Sequence, residues 1–147
     1  MHHVSDIFKG IPLSESNQAF IKDRLNPIHL KKGAILLHAG METKHQYYVE
    51  SGCLRSYFID ISGKEHTTQF AIKDWWISDY TAFYQQSKAI LFIECIQETD
   101  LLQLSRDNME AIIAQAPAVG NHFRLKCESY ISSFQRRVIG DLATPAK

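Results

Sequence analysis

The chain has 147 residues, 45% hydrophobic and 22% charged, a balance that suits one compact domain with a substantial core. Sixteen Lys and Arg offset sixteen Asp and Glu, and basic residues gather only in short pairs such as Lys31-Lys32 and Arg136-Arg137, so no DNA binding by this chain alone is expected. The apolar runs fall far short of a bilayer span and the N-terminus lacks the apolar run of a signal peptide, so the expectation is a soluble, cytoplasmic protein with no membrane partner.

Residues 5–26 read as helical. Ile7, Phe8, Leu13, Phe20, Ile21 and Leu25 form a partial apolar stripe, Ser14 or Ser16 is suited to cap a second segment, and Pro27 ends it. From 28 to 105 the character changes to short runs of Val, Ile, Tyr, Phe and Thr, punctuated by Gly33, Gly40, Gly52 and Gly63. The spacing predicts strands over 34–38, 46–50, 54–59, 65–72, 90–96 and 101–104, with Asp60-Ile61-Ser62-Gly63 as a hairpin turn. Their even distribution points to an antiparallel barrel or jelly roll. Cys53, Cys95 and Cys127 are odd in number and widely separated, as expected of reduced thiols packed as small apolar groups.

After Leu104 the pattern reverts to helix. Ser105 can cap 106–115, whose face carries Met109, Ile112 and Ile113, and Pro117 breaks it. A longer helix follows, in which Val119, Phe123, Cys127, Tyr130, Phe134 and Val138 recur at spacings of four and three. Such a stripe either docks on the β-domain or pairs with a second copy. A limited β-domain surface favours pairing, so a homodimer through this helix is expected. Gly140 marks either a hinge or a frayed end. The chain thus divides into a β-domain with its flanking helices, 1–117, and a dimerisation helix with the chain end, 118–147.

Several segments together are distinctive. Lys32-Gly33-Ala34-Ile35-Leu36-Leu37, Gly40, Tyr47-Tyr48-Val49-Glu50-Ser51-Gly52-Cys53-Leu54-Arg55, Gly63-Lys64-Glu65, Gln69-Phe70 and Thr99-Asp100-Leu101-Leu102-Gln103-Leu104-Ser105 resemble the β-roll of Crp/Fnr-type regulators. Trp75-Trp76-Ile77-Ser78-Asp79 and Phe134-Gln135-Arg136-Arg137 are similar to the subgroup common in Bacteroidetes. The resemblance runs from Ile28 to Leu142. It implies a mainly β chain with flanking helices: a double-stranded β-helix (jelly roll) of the cyclic nucleotide-binding-like type, followed by a long dimerisation helix. It also implies a ligand pocket inside the roll, and a winged helix-turn-helix after the helix that reads ligand occupancy. Read as it stands, the sequence reaches Lys147 without that DNA reader.

A cyclic nucleotide asks for backbone N–H groups at a helix start and a guanidinium for its phosphate. Family members that bind cAMP carry a Phe-Gly-Glu cassette, a short helix and then an Arg. Here Ile77-Ser78 replaces Gly-Glu, and only Lys88 stands where the Arg is expected. Lysine lacks the planar fork, and Asp79 would itself occupy the positive end of the short helix. Ser78 or Asp79 is then either a simple N-cap or, with Tyr80 and Lys88, part of a pocket remodelled for another small-molecule effector. A cAMP-like nucleotide is disfavoured and no cofactor is expected. Trp75 and Trp76 fit the core better than a base platform.

A metal-dependent, cupin-like enzyme is a rival reading, because His38, Glu42, His45 and His66 lie in a jelly-roll setting. The ligand spacing is incomplete, so neither a metal site nor an enzyme is expected. The preferred function is the ligand-sensing, dimerising domain of a transcriptional regulator; the alternative is a stand-alone binding or assembly module.

Overall fold

The computed structural model describes residues 4–143. Among these residues eight strands form two four-stranded antiparallel sheets. The first has the order β1 (Asn26–Leu30), β8 (Thr99–Ser105), β3 (His45–Ser51), β6 (Trp76–Ile77); the second has the order β2 (Ile35–Leu37), β7 (Phe92–Cys95), β4 (Leu54–Ile59), β5 (Glu65–Ala71). This is the jelly roll expected from the strand spacing and the resemblance.

Two strands have no counterpart in the sequence expectation. β6 has two residues, too short to show alternation, and pairs Trp76 with Tyr48. β1 contains Pro27, a residue that argues against a strand, but it lies at the edge of its sheet, where a missing N–H costs little. At the other sheet's edge, β5 carries a bulge. Ser56 faces Gln69 and Tyr57 faces Thr67, so Thr68 is the extra residue, and Thr68 and Gln69 are both buried.

The helical reading of 5–26, with its second segment capped by a serine, resolves into two short helices, α1 (Val4–Ile7) and α2 (Glu15–Lys22). Gly10, with φ of 80°, and Pro12 separate them. Ser14, not Ser16, caps α2, its Oγ accepting from the Asn17 amide at 3.1 Å. The Asp60–Gly63 turn forms as expected, with Gly63 at φ 87° and the Asp60 carboxylate accepting from the Ser62 and Lys64 amides. Gly52 is fixed more tightly. Its φ is 98°, and a Cβ there would stand 2.5 Å from the Glu98 carbonyl oxygen.

Alternation along the strands splits the core in two. Tyr47, Val49, Leu101, Ile93 and Cys95 fill the space between the sheets. Tyr48, Leu102 and Leu104 face the other way, where α1, α2, α4 (Arg106–Gln115) and the start of α5 (Ala118–Ala143) cover the first sheet with Phe8, Ile21, Ile112, Val119 and Phe123. Ser105 caps α4 as expected, accepting from the Asn108 amide at 3.0 Å. Helix α5 continues through Gly140, and residues 144–147 lie outside the described part. Cys95 is fully buried, whereas Cys53 and Cys127 are half-buried. No helix among the described residues is long and apolar enough to cross a membrane.

Candidate functional site

Between β6 and β7 the chain makes one short helix, α3 (Tyr80–Gln85), and Asp79 starts it. Asp79 is 2% exposed, and both its carboxylate oxygens are engaged. Oδ1 accepts from the Ala82 amide at 3.2 Å, the N-cap bond; Oδ2 accepts from the Ile90 and Leu91 amides at 2.9 and 3.2 Å. Backbone N–H groups converging from a helix start and the head of a strand form an anion cradle. Here that cradle holds the protein's own carboxylate. Asp79 thereby ties the start of α3 to the approach to β7.

The other three expected ligand residues are dispersed. Ser78 is fully buried and its hydroxyl donates to the His45 carbonyl at 2.8 Å, a structural bond within the roll. Lys88 is exposed, and its backbone bridges to Glu42. Tyr80 alone reaches a cleft, its hydroxyl donating to Gln46 Oε1 at 3.0 Å. Burial holds the Tyr80 and Tyr130 hydroxyls above the ordinary phenol range, so both stay neutral.

That cleft lies between the roll and α5. A space of about 210 Å³ is lined by Gln69, Asp74, Trp75, Trp76, Tyr80, Lys126, Ser129 and Tyr130. An adjoining space of about 160 Å³ shares Gln69, Trp75 and Tyr130 and adds Thr68, Phe70, Ser133, Phe134 and Arg137. The walls are aromatic, with the Tyr80 and Tyr130 rings 5.6 Å apart. Trp76 is largely a core residue, edge-on to Tyr48 and Phe123, its Nε1–H donating to His122 at 3.2 Å. Among the polar residues of this cleft, Gln69 has a buried oxygen left over. Its Nε2 donates to the Trp76 carbonyl at 3.2 Å, while its buried Oε1 has no partner. In the sequence Gln69 stands out only within the Gln69-Phe70 pair of the family resemblance, because its burial and its missing partner appear only in the folded chain.

The expected dimer stripe also divides. Val119 and Phe123 are buried in the core of their own chain, and Tyr130 packs on Tyr80; intramolecular docking claims these positions. Cys127 is half-buried beside the Tyr84 hydroxyl, 3.4 Å away. Farther along, Phe134 and Val138 remain exposed, together with Ile131 at 62% and Leu142 at 82%, which the sequence reading did not include. The histidines of the enzyme reading are apart in role. His38 is edge-on to Phe92, His45 lies against Tyr47, and His66 pairs with Asp60. Among the described residues no group of three or more His, Cys, Asp or Glu is arranged to hold a metal ion.

Residues 27–116 match the family model for the cyclic nucleotide-binding domain. The chain belongs to that family. No curated protein sequence matches it. Among solved structures, the chain is similar to the catabolite activator protein of Thermus thermophilus, with 18% identity over 92% of this chain and 61% of that one and a TM-score of 0.71. It is similar to a protein described as a Crp/Fnr-family transcriptional regulator from Eubacterium rectale, with 22% identity, coverage of 86% and 59%, and a TM-score of 0.73. It is also similar to a cyclic nucleotide-binding domain from Methylobacillus flagellatus, with 14% identity, coverage of 99% and 84%, and a TM-score of 0.76. The domain therefore has the fold of these proteins, and it spans 61% and 59% of the length of the first two. Within this cyclic nucleotide-binding domain, Asp79 fills the N–H cradle.

Proposed function

We propose that this chain is the effector-sensing, homodimerising and non-catalytic domain of a Crp/Fnr-type transcriptional regulator, and that its effector is an uncharged planar molecule rather than a cyclic nucleotide. The observation that carries this reading is Gln69. A buried amide oxygen without a partner is costly, and a ligand N–H or O–H entering the aromatic cleft would satisfy it. A phosphate gains nothing comparable, since the amides that would hold one already hold Asp79.

The route from occupancy to output follows from the walls of the cleft. One wall is β5 and the Trp75-Trp76 turn; the other is α5. Along the same stretch and past it, α5 carries Cys127, Ile131, Phe134, Val138 and Leu142 at spacings of four, three, four and four, an apolar seam suited to a second copy. A ligand that favours one position of α5 on the roll would favour one pairing of the two helices, provided that its affinity differs between them. DNA contact belongs, in this reading, to a separate domain of the full regulator. The balanced charge of this chain supports that assignment.

Both tryptophans of the chain line the cleft, so intrinsic fluorescence reports on it directly. Titration with uncharged planar metabolites, nucleobases included, should give a saturable change for at least one compound, lost in Gln69→Leu. A silent panel, or a response retained in Gln69→Leu, would contradict the assignment.

A further inference from the structure

A second cleft, of about 360 Å³, opens where the β2–β3 loop, the α3–β7 connection and the start of α4 meet. It shares no lining residue with the β5–α5 cleft. Two buried groups on its wall have no hydrogen-bond partner: the Thr43 hydroxyl, on a residue 4% exposed, and Arg106 Nε. Other polar groups of these two residues do have partners. The Thr43 amide donates to the Ser87 carbonyl, the Arg106 amide donates to the Lys44 carbonyl, and Arg106 Nη2 meets Glu110 at 3.1 Å. What remains is a hydroxyl and a guanidinium N–H on the lining of the same cleft, each able to donate.

The charges around the cleft are mixed. Lys44 and Arg106 stand with Glu42 and Asp107, and Lys44 Nζ lies 3.4 Å from Glu42 Oε2. A phosphate dianion would meet two carboxylates and an arginine already shared with Glu110. A carboxylate carried on the same small molecule as an ammonium meets no such conflict, because each end finds its opposite. We propose that this cleft binds a small zwitterionic metabolite of the amino-acid class, its carboxylate accepting from Arg106 Nε–H and the Thr43 hydroxyl and its ammonium facing Glu42 and Asp107. The occupant would bridge α3, whose cap is Asp79, to α4, which leads into α5.

The test is a ¹⁵N-amide NMR titration of the whole chain with the twenty common amino acids at millimolar concentration, together with the corresponding amines that lack the carboxylate. The expected result is saturable shifts for at least one amino acid, centred on 43–45, 86–87 and 105–107, with no response to its amine. Thr43→Val and Arg106→Gln should each weaken that binding at least tenfold while leaving the rest of the spectrum in place. Thr43→Val is close to isosteric and carries the test if Arg106→Gln fails to fold. Absence of any saturable shift, retention of binding in Thr43→Val, or shifts centred on Gln69 and Tyr130 instead would overturn the assignment. None of these results depends on whether the β5–α5 cleft binds its effector.

Discussion

Replacing Asp79 by alanine removes an acceptor from three backbone amides at once, and the structure allows the cost to be apportioned. Loss of the N-cap bond at Ala82 costs about 1 kcal/mol. The Leu91 amide belongs to a residue only 7% exposed, and stranding it costs roughly 1–3 kcal/mol. Ile90 is 71% exposed, so water can replace much of what its amide loses. The sum is about 2–4 kcal/mol, or on the order of 10 °C in melting temperature for a domain of this size. Urea unfolding of both proteins would give this difference as a shift in midpoint at constant slope. Asparagine is not a silent substitute, because one of its two positions presents an N–H to an N–H donor. The vacated cradle also predicts a rescue: sulfate at tens of millimolar should stabilise Asp79→Ala more than the wild type, since an anion binds only where the carboxylate has gone. A variant within about 0.5 kcal/mol of the wild type, the ordinary range of a surface change, or equal stabilisation of both proteins by sulfate, would show that Asp79 does not hold these amides.

The two ends of α5 should answer mutation differently. Phe123→Ala, in the intramolecular core, should cost about 3–5 kcal/mol in urea unfolding. Ile131→Ser combined with Phe134→Ser should leave a folded monomer, whereas the wild type sediments as a dimer; unchanged sedimentation would exclude this seam. His122 predicts an acid sensitivity. Burial, aided by Lys126, holds its folded pKa down at about 4 against an ordinary 6.5. Between those values the unfolded chain binds a proton that the folded chain refuses, so stability falls as pH drops from 6.5 towards 4, by about 2–3 kcal/mol. His122→Gln should flatten that part of the urea-midpoint profile; an unaltered slope would show that another group is responsible.

The β-roll was legible because its signals are local. Turn glycines and alternating strands placed six of the eight strands, and the capping serine of α4 was read directly. β1 escaped because Pro27 argues against a strand unless it is known to lie at an edge, which only the pairing with β8 reveals. Asp79 was readable as a cap, since capping is a three-residue matter. Its second oxygen binds amides eleven and twelve residues on, beyond any local pattern. The α5 stripe shows a different limit. Apolar spacing announces that a face will be covered but not by what; Phe8, Trp76 and Tyr80 cover Phe123 and Tyr130, and leave Ile131, Ile139 and Leu142 exposed. Thr43 carried no signal and Gln69 none beyond the family resemblance, because a polar residue becomes informative about a site only when its burial and its missing partner are known.

In this cyclic nucleotide-binding domain the Asp79 carboxylate occupies the amides at the start of α3 and before β7. Calorimetric titration of the wild-type chain with cAMP tests directly whether that excludes the nucleotide. The expected result is no saturable heat and no change in melting temperature at high ligand concentration. Saturable binding of one nucleotide per chain would contradict it, because the phosphate would then have displaced Asp79 or found a site that owes nothing to the cradle.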